Sequence, residues 1–191
     1  MPSIVDHKGL RVIIGVVEQV LMDSPDVRRT LGRLAHEILE AHSGADSLVV
    51  AGVLNKGYPV ARRLAWAMTQ IEGRPVPCGK IDASRFRDDR AFEGEDRSEV
   101  PFAIDGRAVV LVDEVIFTGR TIRAALDAVF ALGRPSKIEL AVLVDRGFRE
   151  LPIQPDFTGR KVDTDRDDRV LVEISELPDE DRVLLIRGNN G

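Results

Sequence analysis

The chain of 191 residues has a single cysteine, Cys78, and so cannot build an internal disulfide framework. It has three histidines, His7, His36 and His42, and none stands near a second metal-ligating residue at a zinc-type spacing. No apolar run approaches the about 18 residues that cross a bilayer. The first nine residues lack the basic flank, apolar stretch and small-residue cleavage site of an export signal. The cytoplasm is therefore the expected compartment, with no membrane partner. An excess of positive charge is missing as well: 27 Lys and Arg against 32 Asp and Glu leave a net charge of −5. That balance argues against a general polyanion-binding protein, although basic residues can still gather on one face.

What is present is apolar residue in quantity, 43% of the chain, enough for one domain with a sizeable core. Ser24-Pro25-Asp26 reads as a helix start, with a capping serine, a proline for the first turn and an acid at the positive end of the dipole. Val27, Leu31, Leu34, Ile38 and Leu39 continue it at helical spacing to about residue 42. Residues 47–53 are short, apolar and β-branched, a buried strand, and 59–71 read as the next helix. A strand at 77–81 precedes a charged stretch, 82–99, with no period, of the kind that forms a lid or a mobile loop. A strand at 109–112, a helix from near 118 to 133 and a strand at 138–144 complete an alternating pattern. That alternation implies an α/β fold with a central, mainly parallel sheet flanked by helices. Beyond Arg146-Gly147 the segments shorten, with strands expected at 170–174 and 183–186, as a small cap over the sheet edge and a frayed tail at 188–191. The expected division is an N-terminal extension, 1–23, a core, 24–150, and a hood with its tail, 151–191.

One junction carries the chemistry. The apolar run 109–112 leads through Asp113-Glu114, Val115-Ile116-Phe117 and Thr118-Gly119-Arg120-Thr121 into a helix. In an open parallel sheet such a junction lies at the carboxyl end of a strand, where ligands bind. The helix start offers unpaired N–H groups and positive dipole to a phosphate, with the Thr118 and Thr121 hydroxyls beside them. Asp113 and Glu114 are placed to accept hydrogen bonds from ribose hydroxyls or to hold water around Mg²⁺. No lysine precedes the threonine, so the segment is not a P-loop.

This segment resembles the signature of the type I phosphoribosyltransferases. With Arg33-Leu34-Ala35-His36-Glu37-Ile38-Leu39, Arg85-Phe86-Arg87-Asp88-Asp89, residues 129–135, 140–147 and 149–153, the chain is similar over residues 24–186 to the pyrimidine operon attenuator / uracil phosphoribosyltransferase (PyrR) family. The resemblance implies Mg²⁺-dependent transfer of ribosyl 5-phosphate from phosphoribosyl pyrophosphate (PRPP) to uracil, giving UMP and pyrophosphate, in a homodimer or larger assembly that also binds pyrimidine-operon leader RNA. It assigns Asp113, Glu114, Phe117, Thr118, Gly119, Arg120 and Thr121 to the ribose 5-phosphate, and Asn55, Lys56 and Gly57 to pyrophosphate. Arg85 and Arg87 would meet substrate charge from a closing 82–99 loop, Arg169 and Val170 would cover the base, and Arg29, Arg33, His36 and Arg149 would face RNA. Mg²⁺ would sit near Asp113 and Glu114, held largely through PRPP and water.

The sequence departs from the family at informative places. Leu54 and Asn55 stand where a cation and a hydroxyl are usual, and Lys56 gives a point charge where the family has a planar guanidinium. Gly32, Phe148 and Gln154 replace threonine, histidine and arginine on the RNA-facing surface, which should weaken RNA binding and flatten its salt dependence. Phe117 stands where purine-specific relatives carry an aspartate, which points away from a purine. A weakly catalytic nucleotide-sensing regulator and a transferase of another base are the alternatives.

Overall fold

The computed structural model describes residues 10–13, 16–89, 91, 92 and 94–187. The first nine residues and the tail at 188–191 lie outside the described residues. The elements run β1 (Leu10–Ile13), β2 (Val16–Met22), α1 (Ser24–His42), β3 (Leu48–Val53), α2 (Gly57–Glu72), β4 (Cys78–Ile81), β5 (Ala108–Ile116), α3 (Arg120–Leu132), β6 (Lys137–Asp145), β7 (Phe157–Lys161), β8 (Arg169–Glu173) and β9 (Arg182–Ile186). Five of the strands form one sheet in the order β4-β3-β5-β6-β7, every pair parallel.

Both faces of this sheet are covered, which explains why β3 is buried at all six positions and why its sequence does not alternate. Val50, Val110, Val112, Ala141 and Leu143 pack with Leu34, Ile38, Leu64 and Met68 of α1 and α2. The intervening positions, Val49, Ala51, Val109, Leu111 and Val142, meet Ile122, Ala125 and Val129 of α3. The two-residue period of a strand thus divides one apolar run between two cores.

The start of α1 differs by one residue from expectation. Asp23, not Ser24, is the cap: its Oδ1 accepts from Asp26 N at 2.9 Å, and Asp26 Oδ2 accepts from Asp23 N at 3.4 Å. Ser24 is freed to donate to Pro178 O at 2.6 Å, a tie from the helix start to the hood.

The second sheet has the order β1-β2-β9-β8 and is antiparallel throughout. The hood is therefore built from both ends of the chain, so the expected extension at 1–23 contributes two of its strands from residue 10 onward. The expected hood boundary at 151 shifts for the complementary reason: β7 continues the core sheet beside β6, with Ala141 opposite Phe157. Among its described residues the 82–99 segment holds only one 3₁₀ turn, Ser84–Phe86, and its neck is laced by the Lys80–Glu99 bridge and by Asp82, which pairs with Arg97 at 2.8 Å.

Candidate functional site

The carboxyl ends of β3, β5 and β6 converge beneath the hood. β5 continues four residues past the expected 109–112 run, so Asp113 and Glu114 are strand residues and the turn proper is Phe117-Thr118-Gly119. Gly119 has φ 90°, the left-handed region that favours glycine, and it caps α3 without a side-chain bond. The first N–H groups of α3 are thereby left without intrahelical partners beside the hydroxyls of Thr118 and Thr121. Arg87 crosses from the 82–99 segment and donates to Thr121 Oγ1 at 3.0 Å, while pairing with Asp89 at 2.6 Å. Arg120 bridges Asp88 at 3.0 Å and Glu150 at 2.9 Å. The amino end of α3 thus gathers two guanidiniums.

The two acids differ in setting. Asp113 is 5% exposed, whereas Glu114 is half-buried. Burial, reinforced by the charge of Glu114, pushes the Asp113 carboxyl well above the usual carboxylate range; the Glu114 N–H and the Arg87 charge oppose this only in part. Its Oδ1 accepts from Glu114 N at 3.0 Å and lies against the first residue of α2. A Cβ on Gly57 would stand 2.7 Å from Val112 O and 2.8 Å from Asp113 Oδ1, so glycine at 57 is what lets the two loops meet.

Asn55 and Lys56, exposed in the β3–α2 turn, line a groove of about 910 Å³ with Val172, Glu173 and Asp181 of the hood. Neither Asp113 nor any of 118–121 lines that groove. Arg85 is exposed on the 3₁₀ turn and, unlike Arg87, makes no bond to α3. Arg169 is exposed on β8, and Val170 is half-buried and packs on the larger core cluster.

The four residues expected to face RNA separate into two groups. Arg29, Arg33 and His36 lie on the exposed side of α1, with Arg29 paired to Asp26 and Arg33 bonded to Glu37 and to the carbonyls of Thr158 and Gly159. Arg149 is not with them. Its side chain is 11% exposed, pairs with Asp145 at 2.7 Å and donates to Phe117 O at 3.0 Å and Ile153 O at 3.1 Å. The residue braces the turn at Phe117-Thr118-Gly119 from within.

Sequence reading gave Arg146 no role and placed Phe148 only on the RNA-facing surface. The Arg146 guanidinium lies over the Phe117 ring, 4.2 Å from its centroid, and Phe148 meets Phe117 edge-on at 5.9 Å. Their signal was positional: residues 146–149 directly follow a buried strand, at the carboxyl edge of the sheet where ligands bind in open α/β folds. Burial pushes the Cys78 thiol up to about 11, so it carries little thiolate at neutral pH. Among the described residues no group of three metal-ligating side chains occurs and no helix is long and apolar enough to cross a membrane.

Residues 19–173 match the model of the phosphoribosyl transferase domain. Curated relatives named Bifunctional protein PyrR include that of Pelotomaculum thermopropionicum, 49% identical over 87% of this chain and 94% of the relative. The Thermus thermophilus protein of the same name is 48% identical over 86% and 93%. The chain belongs to the PyrR family of phosphoribosyltransferases. Solved structures agree on the fold: a Trypanosoma cruzi hypoxanthine phosphoribosyltransferase superposes with a TM-score of 0.67 at 18% identity, covering 88% of this chain and 95% of that one. A Staphylococcus aureus hypoxanthine phosphoribosyltransferase gives 0.63 at 16% identity, over 78% and 79%. The PyrR assignment and the type I phosphoribosyltransferase fold, with its parallel sheet, flanking helices and small hood, are as the sequence led us to expect.

Proposed function

We propose that the chain transfers ribosyl 5-phosphate from PRPP to uracil, releasing pyrophosphate and forming UMP, and that it works in the cytoplasm as a homodimer or larger homo-oligomer. The observation that carries this reading is the convergence at one strand end of two carboxylates, two threonine hydroxyls, a glycine-capped helix start and the Arg87 guanidinium. The 5-phosphate takes the N–H groups of α3 with Thr118, Gly119, Arg120 and Thr121. Glu114, the more accessible acid, accepts from ribose hydroxyls, and Asp113 behind it adds a second acceptor when it is ionised. Asn55, Lys56 and Gly57 serve the pyrophosphate, and Arg169 and Val170 close over the base.

Breaking the bond to pyrophosphate leaves a cationic ribose and builds negative charge on the leaving group. Arg87, with Arg85 on the same segment, supplies positive charge as the 82–99 segment closes and excludes the water that would hydrolyse the sugar. Two adjacent carboxylates, with no third ligand among the described residues, suit Mg²⁺ carried in mainly by substrate oxygens and water rather than a closed protein cage. When bound, Mg²⁺ would neutralise charge on the pyrophosphate.

The relatives' name, Bifunctional protein PyrR, together with the exposed Arg29, Arg33 and His36 on one helix, supports a second role, binding pyrimidine-operon leader RNA. The test of the first role is UMP formation from PRPP and uracil with Mg²⁺, beside a panel of purine and pyrimidine bases. No turnover with uracil, or full turnover by Asp113→Asn, would overturn it. A leader-RNA gel shift strengthened by UMP tests the second.

A further inference from the structure

Arg146, the residue that directly follows β6, is the unexplained group of this site. Arg146 is 7% exposed, and its Nε has no hydrogen-bond partner. Burial lowers its pKa, against the favourable charge of Asp168. Burying a guanidinium with an unmet donor is costly, and an apolar residue of similar volume would avoid that cost. A gain in stability therefore does not account for arginine here, whereas what the guanidinium holds does.

Its Nη1 donates to Asp168 O at 2.5 Å, and its Nη2 donates to Asp165 O at 2.8 Å and Arg166 O at 3.2 Å. These three carbonyls belong to the turn that delivers the chain into β8, and Asp168 is the residue before Arg169. The same turn is tied from the other side by Arg187, which pairs with Asp168 at 3.0 Å. The flat face of the guanidinium covers Phe117, the residue before the phosphate-binding Thr118-Gly119 step, and its own backbone N–H donates to Ile116 O at 3.2 Å. One rigid, planar group thus spans the phosphate turn and the root of the hood strand. Lysine could supply the charge but neither the stacking face nor the fork of donors.

We infer that Arg146 is a positioning residue that fixes β8 over the base by clamping the 165–168 turn to Phe117, so that the distance between the phosphate turn and the base-covering strand is set by one side chain. Arg146 touches neither phosphate nor base. It acts through Phe117 and the carbonyls it holds. This rests on the proposed placement of the sugar phosphate at 118–121 and the base beneath β8.

The test uses the full chain and three variants, Arg146→Met, Arg146→Lys and Phe117→Leu. In Arg146→Met the KM for uracil should rise about tenfold or more while that for PRPP stays within about twofold, since misplacing a remote group acts on the ligand whose wall has moved. Arg146→Lys and Phe117→Leu, which keep part of the clamp, should show the same selective rise to a smaller extent. Amide hydrogen exchange without ligand should quicken about tenfold at 165–170 in Arg146→Met and stay unchanged in β3 and β5. Uracil and PRPP constants that rise together, a uracil constant that does not move, or unchanged exchange at 165–170 would overturn the inference. If Arg146→Met does not fold, Arg146→Lys and Phe117→Leu decide by the same two readouts. A wild-type chain that transfers to no base refutes the functional reading instead, and the exchange measurement still tests the clamp.

Discussion

Adding one methyl group at Gly57 tests the packing of the site and its chemistry together. The Cβ of Gly57→Ala would stand 2.7 Å from Val112 O, 2.8 Å from Asp113 Oδ1 and 2.9 Å from Asp113 Cα, closer than the 3.0 Å that real Cβ atoms respect. Two of the three obstacles are backbone, so β5 and the start of α2 must part by several tenths of an ångström. Overpacking of this kind costs about 1–3 kcal/mol. In a chain of this size that amounts to a melting temperature lower by about 4–8 °C for a mid-range cost. Because the displaced element carries Asp113 and Glu114, kcat/KM for UMP formation should fall at least about tenfold. Gly32→Ala is the matched control: nothing lies within 4 Å of the new Cβ on α1, and replacing an interior helical glycine should stabilise by about 0.5–1 kcal/mol. Differential scanning calorimetry and a UMP assay on both variants settle the point. A Gly57→Ala protein that melts with the wild type and turns over normally would refute the close approach.

Two further outcomes follow from the acids. The Asp113 carboxyl is raised by burial, so its ionisation costs stability as pH climbs from the unfolded value near 3.9 through the folded one. Asp113→Asn should therefore melt about 2–4 °C higher than wild type at neutral pH for each kcal/mol relieved, lose that advantage below about pH 4, and lose turnover about a hundredfold. Burial also works against the charge of Asp82, yet Arg97 and Ser84 prevail and hold it near about 2. Its contribution is thus present above its ordinary value of 3.8 and disappears as pH falls towards 2. Arg97 is half exposed, so solvent screening keeps the gain small, and a thermal melt series should show Arg97→Ala flattening the acid limb.

The alternating core was legible because its strands are apolar runs and its helices show an amphipathic period, both local properties of sequence. β7 was not, since only Phe157 of its five residues is buried and the remainder reads as loop. β1 and β2 were missed for another reason: they pair with each other but join the rest of their sheet through β9, far along the chain, and no local window contains β2 and β9 together. The Phe117-Thr118-Gly119 turn was legible as a pattern of residue types, but not the burial of Asp113, which arises from α2 crossing at Gly57. Arg149 misled because arginine ordinarily marks the surface, whereas here Asp145 and backbone carbonyls enclose it. Asp23 and Ser24 are both good caps, and the choice between them is made by Pro178, which claims the serine.

The pairing of β2 with β9 has a consequence for how the protein is made. During synthesis the parallel sheet and its Phe117-Thr118-Gly119 turn are complete by β7, but the roof needs residues 182–186 to return to a strand that left the ribosome long before. Closing so long a loop is slow, so the proposed cradle for the sugar phosphate forms before anything shelters it. Shortening either end of this chain into β2 or β9 should leave a molecule that still folds its sheet yet holds the activated sugar open to water.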